Sequence, residues 1–357
     1  MRIVHVVGAR PNFMKLAPCA RALAAHPRPV EQRIVHTGQH YDDSMSDAFF
    51  RDLGIAEPDV NLGVGSGSHA VQTARILERL EPVMLEQQPD WAVVYGDVNS
   101  TAATALVCAK IGIRVAHVEA GLRSGDRTMP EEINRLVTDR LADLLLTPSR
   151  DADENLKREG VEPGKIRFVG NVMVDSLLHA LPAARATAYR ERLGLREDGY
   201  ALVTLHRPSN VDLPQRLSTI LRQLVEITRF MPVVFPIHPR TRERLRTGPT
   251  GQIEKLRLLE PLPYHAMLDL VAGARVVITD SGGLQEETTA LGIDCLTLRD
   301  NTERPVTITE GTNRLVLDLE ALPVLARAAE RRPQRRRPDG WDGRAGERVA
   351  TALTGAS

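Results

Sequence analysis

Short β-branched runs alternate with helix-length amphipathic segments through almost the whole chain, and the alternation begins twice. The first series of strand-forming runs is RIVHVVG (2–8), QRIVHTG (32–38), WAVVYGD (91–97), RVAHVEA (114–120), DLLLTPS (143–149) and IRFVGN (166–171). Helical patterning falls near 13–25, 44–53, 68–88, 99–111, 131–141 and 150–159. Continuous apolar strands separated by helices argue for a parallel sheet covered on both faces. After a helix-and-linker passage over 171–199, the series restarts with YALVTLHR (200–207), PVVFPIHP (232–239), LRLLEPL (256–262), ARVVITDS (274–281) and DCLTLRD (294–300). Its helices fall near 213–229, 263–272, 283–291 and 319–330. The expected fold is α/β, with two Rossmann-like, doubly wound parallel-sheet domains facing across a cleft. Residues 1–170 and 171–341 are expected to form the domains, and a short C-terminal helix near 342–357 to pack back on the first. A chain of 357 residues is long enough for two cores of ordinary size.

Charge and cysteine content narrow the function classes. With 46 basic and 46 acidic residues, the formal net charge is zero and gives no global attraction to nucleic acid or an anionic membrane. Any affinity for phosphate must then be local. Aromatics make up 4% of the chain, too few for a base-stacking platform. Cys19, Cys108 and Cys295 are odd in number and sit in apolar surroundings, which reads as buried thiols in a reducing compartment. The start MRIVHVVG lacks the pattern of a secretory signal, and no apolar run reaches the roughly 20 residues of a membrane span. The expectation is a soluble, cytoplasmic protein.

In open parallel sheets, ligands bind beyond the carboxyl ends of the strands, so the residues following each strand carry the functional reading. GARPNFMK follows the first strand and places Arg10 and Lys15 at a helix start. They suit an anion there, or are ordinary surface charges. The pattern is not G-x-G-x-x-G, so the dinucleotide fingerprint is missing. GDVNSTAAT and HVEAGLRS place Asp97 and Glu119 at strand ends able to lie side by side. Two such carboxylates can divide acid and base work, while Asp97 alone can equally cap the following helix. HVEAGLRSGDRTMPEEINR (117–135) is dense in charge, with Glu119, Arg123, Asp126, Arg127, Glu131, Glu132 and Arg135. Glu119 precedes the loop, where an unpaired carboxylate is costly; these groups either satisfy one another or await a ligand. Glu131 sits in a helix first turn, which favours acids without any catalytic reason.

In the second half, TLHRPSN and FPIHPR put His206 and His238 at equivalent strand ends, each near a cation. They suit phosphate contact or proton transfer, or are simply satisfied polar groups. ITDSGGLQEE (278–287) is the sharpest local signal. A strand ends at Asp280, and Ser281, Gly282 and Gly283 turn into a helix whose first amides suit a diphosphate, with Glu287 in reach of ribose hydroxyls. Thr279 excludes a G-x-S-x-G elbow, and no Gly-Lys-Ser/Thr ending of a Walker A loop follows. LRDNTERPVT adds Arg299, Glu303 and Arg304 after the next strand. No metal-ligand spacing is present, and the sum is a nucleotide-sugar enzyme needing neither metal nor dinucleotide.

Taken together and in order, GARPNFMK, TGQHYD, GDVNSTAAT, HVEAGLRSGD, PEEINR, TLHRPSN, TDSGGLQEE, RDNTERP and WDGRAGER resemble the motifs of the non-hydrolysing UDP-N-acetylglucosamine 2-epimerase family, a branch of the glycosyltransferase-B architecture. The resemblance spans essentially the whole chain. It implies Asp97, Glu119 and Glu131 as acid/base carboxylates and His206 as a histidine near the diphosphate. It implies a UDP-sugar site drawn from Arg10, Lys15, Arg135, His238, Met267, Ser281, Gly282, Gly283, Glu287 and Arg304. The activity implied is reversible inversion at C2 to UDP-N-acetylmannosamine, without cofactor or metal, in a homodimer that binds neither nucleic acid nor membrane. The chain departs from many members in a shorter loop between Glu119 and Glu131, in Ser209 where Glu is common, and in Met267 where an aromatic often stacks on uracil. Short-loop relatives include epimerases of 2,3-diacetamido-uronic sugars, which leaves the C3 and C6 substituents open. TGQHYDD differs from versions linked to allosteric activation by substrate, so that regulation is not expected. A hydrolysing epimerase, a glycosyltransferase of the same architecture and a silent nucleotide-sugar sensor are the competing readings.

Overall fold

The computed structural model describes residues 1–39, 50, 53–247, 253–330 and 337–355. Most of the helix expected near 44–53, residues 40–42 of the TGQHYD motif and the basic stretch over 331–336 lie outside those residues. The chain divides into two compact units, Met1–Ser176 with Asp339–Ser357, and Leu177–Pro338.

The first unit is built on seven strands: β1 (Arg2–Val7), β2 (Glu31–His36), β3 (Val60–Asn61), β4 (Trp91–Tyr95), β5 (Val115–Val118), β6 (Leu144–Thr147) and β7 (Ile166–Phe168). They pair in the order β3-β2-β1-β4-β5-β6-β7, every pair parallel. Parallel strands need crossovers, and these are α1 (Arg10–Ala24), α2 (His69–Gln87), α3 (Asn99–Ile111), α4 (Pro130–Leu141) and α5 (Arg150–Arg158). Their local signals are legible. Pro130 takes the first helical position of α4, Ser68 caps α2, and Gly112 ends α3 in the left-handed region at φ 75°. Burial on both sheet faces explains why β4 and β5 contain no exposed residue. β3 escaped the sequence reading because two residues at a sheet edge leave no periodicity to detect.

The second unit repeats the plan. β8 (Ala201–Thr204), β9 (Val233–Pro236), β10 (Arg257–Leu259), β11 (Val276–Thr279), β12 (Asp294–Thr297) and β13 (Asn313–Leu315) pair in the order β10-β9-β8-β11-β12-β13, again all parallel. An aliphatic cluster that includes Ile220, Leu224 and Phe235 covers one face of this sheet, and one that includes Leu202, Leu270 and Val277 covers the other. The passage over 171–199 is mostly helical, with α6 at Val172–Ala186. A helix at Pro239–Thr247 (PRTRERLRT) was not expected, because its polar sequence carries little apolar patterning. The chain then returns to the first unit. Its last helix, Ala345–Gly355, packs against α1, and Asp175 accepts bonds from the Ala345 and Gly346 amides at 3.1 and 2.7 Å. No helix among the described residues is long and apolar enough to cross a membrane.

Both strand orders reverse once, between β1 and β4 in the first unit and between β8 and β11 in the second. At such a reversal the crossover helices leave toward opposite faces and open a crevice beyond the strand ends. The candidate residues cluster at these two places.

Candidate functional site

In the first unit, the turn after β1 is locked by Asn12. Its Oδ1 accepts from the Gly8 and Ala9 amides at 3.0 and 3.1 Å, and its Nδ2 donates to the Tyr95 carbonyl at 2.9 Å. The β1 and β4 ends are thereby tied together across the strand-order reversal. Arg10 opens α1 and is exposed. Lys15, one turn further, is buried and forms an ion pair with Glu119.

That pair answers how a strand can end on a buried carboxylate. Glu119 is 6% exposed and lies in the left-handed region at φ 75°. A non-glycine residue held there costs on the order of 1–3 kcal/mol, so the surroundings must over-determine the conformation. The Lys15 ammonium and the Glu119 amide's bond to the Leu146 carbonyl at 3.0 Å do so. Gly96 makes room for the pair, since a Cβ there would lie 2.5 Å from Lys15 Nζ and 3.1 Å from Glu119 Oε2.

β4 and β5 are neighbours with Tyr95 opposite Val118, so the strand ends bearing Asp97 and Glu119 do lie side by side. Asp97 does not cap the following helix. The N-cap is Val98, and the Asp97 carboxylate is gripped by Arg135, Nε at 3.1 Å and Nη2 at 2.7 Å. Arg135 is buried and also donates to Glu132, which accepts from the Ser124 and Gly125 amides at 3.0 Å each. Burial opposes the charge on Glu132, yet those amides and Arg135 outweigh it and hold the carboxyl below its usual range. Glu131 is different. It is exposed in the first turn of α4 and lines a cavity of about 370 Å³ together with Asp97, Asn99, Asn134, Gln39 and Gln72. The charge-dense 117–135 stretch is thus largely paired, mostly with residues outside it (Glu119 with Lys15, Arg135 with Asp97, Arg123 with Asp139 and Glu159), while Glu131 lines the cavity.

Two residues outside the sequence reading set this arrangement. His117 is fully buried; its Nε2 lies 2.7 Å from the Gly96 carbonyl and its Nδ1 2.6 Å from Asp139. Asp139 also accepts from the Gly121 amide at 3.0 Å and from Arg123 at 2.7 Å. One carboxylate therefore steadies the residue before Asp97 and the residue two beyond Glu119. Burial opposes its ionisation, but His117 and Arg123 prevail and hold it below the usual range. Asp139 sits in the last turn of α4 and belongs to none of the strand-end motifs, which is why the sequence reading passed over it.

In the second unit, β8 and β11 run side by side with Thr204 opposite Thr279, so His206 emerges beside Asp280. His206 Nδ1 lies 2.9 Å from Asp280 Oδ1, and the His206 and His238 rings are 5.6 Å apart. His238 is exposed at the end of β9 and accepts from the Arg240 amide through Nδ1 at 3.2 Å. Burial, then the neighbouring His206, lowers its pKa. Ser281 is the N-cap of the helix Gly282–Leu291, and its amide is already used on Thr279 Oγ1 at 2.9 Å. The first-turn amides of Gly282 and Gly283 have no helical carbonyl one turn back to bond, as at any helix start.

Arg304 lies against this turn. A Cβ on Gly282 would come 2.7 Å from its Nη1. Glu303 and Glu286 hold the guanidinium, the latter at 3.0 Å, and Arg299 bonds Glu303 at 2.8 Å. Despite burial, Arg304 and Arg299 hold Glu303 well below the carboxylate range. Glu287, half-buried on the same helix, goes the other way: burial, then the charge of Glu286, pushes it up to about 8. Met267 packs half-buried against the apolar cluster under that helix. Each unit thus gathers its own set, carboxylates and Lys15 in the first, and histidines, amides and Arg304 in the second.

The comparisons with known proteins agree with one another. Residues 21–354 match the family model described as UDP-N-acetylglucosamine 2-epimerase. The UDP-N-acetylglucosamine 2-epimerase of Methanocaldococcus jannaschii is 42% identical, with 99% of both chains covered. A UDP-2,3-diacetamido-2,3-dideoxy-D-glucuronate 2-epimerase of Pseudomonas aeruginosa is 44% identical over 88% of both chains. The crystal structure of the Methanocaldococcus jannaschii enzyme in complex with UDP-GlcNAc and UDP aligns with a TM-score of 0.86 at 41% identity, again covering 99% of both chains. Strand order, strand-end residues and near-complete coverage at this identity place the chain in the UDP-N-acetylglucosamine 2-epimerase family.

Proposed function

We propose that the protein interconverts UDP-N-acetylglucosamine and UDP-N-acetylmannosamine by a non-hydrolysing route. The observation that carries the reading is the pair of carboxylates on adjacent strand ends, Asp97 and Glu119, with Glu131 lining the cavity beside Asp97. Inversion at C2 needs proton transfer on both faces of the sugar, and hence two groups of the acid/base kind.

The C2 proton of the sugar is not acidic enough for simple removal. In the proposed reaction the C1–O bond breaks as the C2–H bond breaks. The C–H electron pair forms the C1=C2 double bond of a 2-acetamidoglucal, UDP leaves with the C1–O pair, and a carboxylate takes the proton. A second carboxylate then delivers a proton to the opposite face of C2, and a UDP oxygen adds back at C1. Asp97, Glu119 and Glu131 are the set that supplies the two proton-transfer groups. Arg10, His206, Arg304 and the Gly282 and Gly283 amides stabilise the departing diphosphate. Lys15 and Arg135 hold Glu119 and Asp97 in place. His238, Ser281 and Glu287 complete the nucleotide's surroundings, and Met267 takes the face of the uracil.

The test is NMR of the purified enzyme with UDP-N-acetylglucosamine in D2O. UDP-N-acetylmannosamine carrying deuterium at C2, with the nucleotide still attached, is the expected product. Free sugar and UDP would assign the hydrolysing branch. The 44% identical Pseudomonas aeruginosa protein favours a second substrate, UDP-2,3-diacetamido-2,3-dideoxy-D-glucuronate. Relative kcat/KM for the two nucleotide sugars decides between them. The protein is further proposed to work as a homodimer in the cytoplasm, where its three buried free thiols, Cys19, Cys108 and Cys295, stay reduced. A monomeric mass in light scattering at assay concentration would remove the dimer.

A further inference from the structure

Asp280 directly follows β11 and is fully buried, yet its carboxylate accepts from several donors in the second unit. It takes the His206 amide on both oxygens at 3.1 Å, the Arg207 amide at 3.0 Å and Asn210 Nδ2 at 3.1 Å. Its backbone carbonyl accepts from Arg207 Nε at 3.0 Å. Oδ1 also meets His206 Nδ1 at 2.9 Å. A carboxylate so buried is costly unless it has a task and enough donors, and here the donors all belong to the strand end that carries His206.

We propose that Asp280 is a positioning residue that fixes the His206 ring with Nδ1–H pointing at the carboxylate and Nε2 presented to the leaving diphosphate. The proposal rests on the working role given to His206 above. The geometry leaves one sense for the bond: a carboxylate accepts, so Nδ1 donates, and the second nitrogen is the one left for the ligand. The same carboxylate stabilises positive charge on the ring when Nε2 also carries a proton, the state that best meets a departing diphosphate. Burial opposes the charge on Asp280, but His206, the Arg207 amide and Asn210 together hold it below the usual carboxylate range. Among the described residues, the charged or titratable groups that also face the ring include His238 from the end of β9, with Arg240 behind it, and Arg207 beside it.

Asp280→Asn keeps the size and the amide-accepting oxygen but can offer its NH2 group to His206 Nδ1. The ring then turns to the neutral Nε2–H tautomer without a carboxylate to support a second proton. Expected is a fall in kcat of about 10²-fold or more with KM nearly unchanged. Ring 15N shifts of histidine-labelled enzyme, assigned with His206→Gln, should show Nδ1 protonated in the wild type and unprotonated in Asp280→Asn. The double variant should be no slower than His206→Gln alone. Unchanged kcat in Asp280→Asn, or an equal further loss on the His206→Gln background, overturns the proposal. If Asp280→Asn fails to fold, the wild-type spectrum decides alone, because an unprotonated Nδ1 rules the pairing out. A wild-type enzyme that turns over no UDP-sugar sinks the functional reading instead, and the ring spectrum still judges the pair.

Discussion

Glu287 stands half-buried one turn into the helix that follows β11, its carboxyl raised to about 8 by burial and by the charge of Glu286. Below that pH it is neutral and adds no repulsion to the diphosphate proposed to bind at the same helix start; above it, a second negative charge appears there. KM for the nucleotide sugar should therefore rise as pH passes about 8, and Glu287→Gln should flatten that rise. KM measured between pH 6.5 and 9.5, a span of roughly the range of ordinary assays, checks it. Stability carries the same sign. A carboxyl raised on folding contributes most below its unfolded value near 4.5 and loses that contribution as pH climbs through about 8. Glu287→Gln should thus gain on the wild type in denaturant melts at alkaline pH. Glu119 shows another residue-scale feature that sequence alone could not supply. Its placement after a strand was legible, but its left-handed backbone and its Lys15 partner, 104 positions away, were not.

At the scale of elements, the parallel pairing of β4 and β5 turns two separate motifs into one set of carboxylates. The Asp139 side chain of α4 then ties both strand ends, through His117 to Gly96 and directly to Gly121. Asp139→Ala leaves a buried imidazole, a buried amide and the Arg123 guanidinium short of their partner. It should cost about 3–5 kcal/mol, the usual range for breaking a buried charged network. Urea melts of the variant check the figure, and kcat should fall with it because Asp97 and Glu119 lose their common support. A loss below about 1 kcal/mol, the scale of an exposed ion pair, would show that the network is not what steadies these strand ends. Most elements were legible because long helices and fully apolar strands leave strong periodic signals. β3 and β13 were not, since two or three edge residues gain their strand character only from the neighbour they pair with.

For the whole molecule, the unusual feature is a chain that leaves the first unit, builds the second and comes back. The returning segment is bound by specific contacts. Trp341 is buried and donates to the Pro148 carbonyl at 3.2 Å, Asp175 caps the last helix, and Arg28 bonds the Thr354 carbonyl at 2.8 Å. Deleting 339–357 should lower the melting temperature of the first unit and speed amide exchange in α1, against which the last helix packs. Exchange in the strands of the second unit should not change, and hydrogen-exchange mass spectrometry reads both at once. By itself the sequence determined the α/β class, the two-fold restart of the pattern and the strand ends where chemistry-bearing residues stand. Those follow from local periodicity and from the rule that parallel sheets bind ligands beyond their carboxyl ends. Only the tertiary structure decided which groups are partners: Lys15 with Glu119, Arg135 with Asp97, Asp139 with His117 and Asp280 with His206. The physical reason is that a buried charge is tolerated only beside its partner, and strand pairing and helix packing alone bring such partners together from distant parts of a chain.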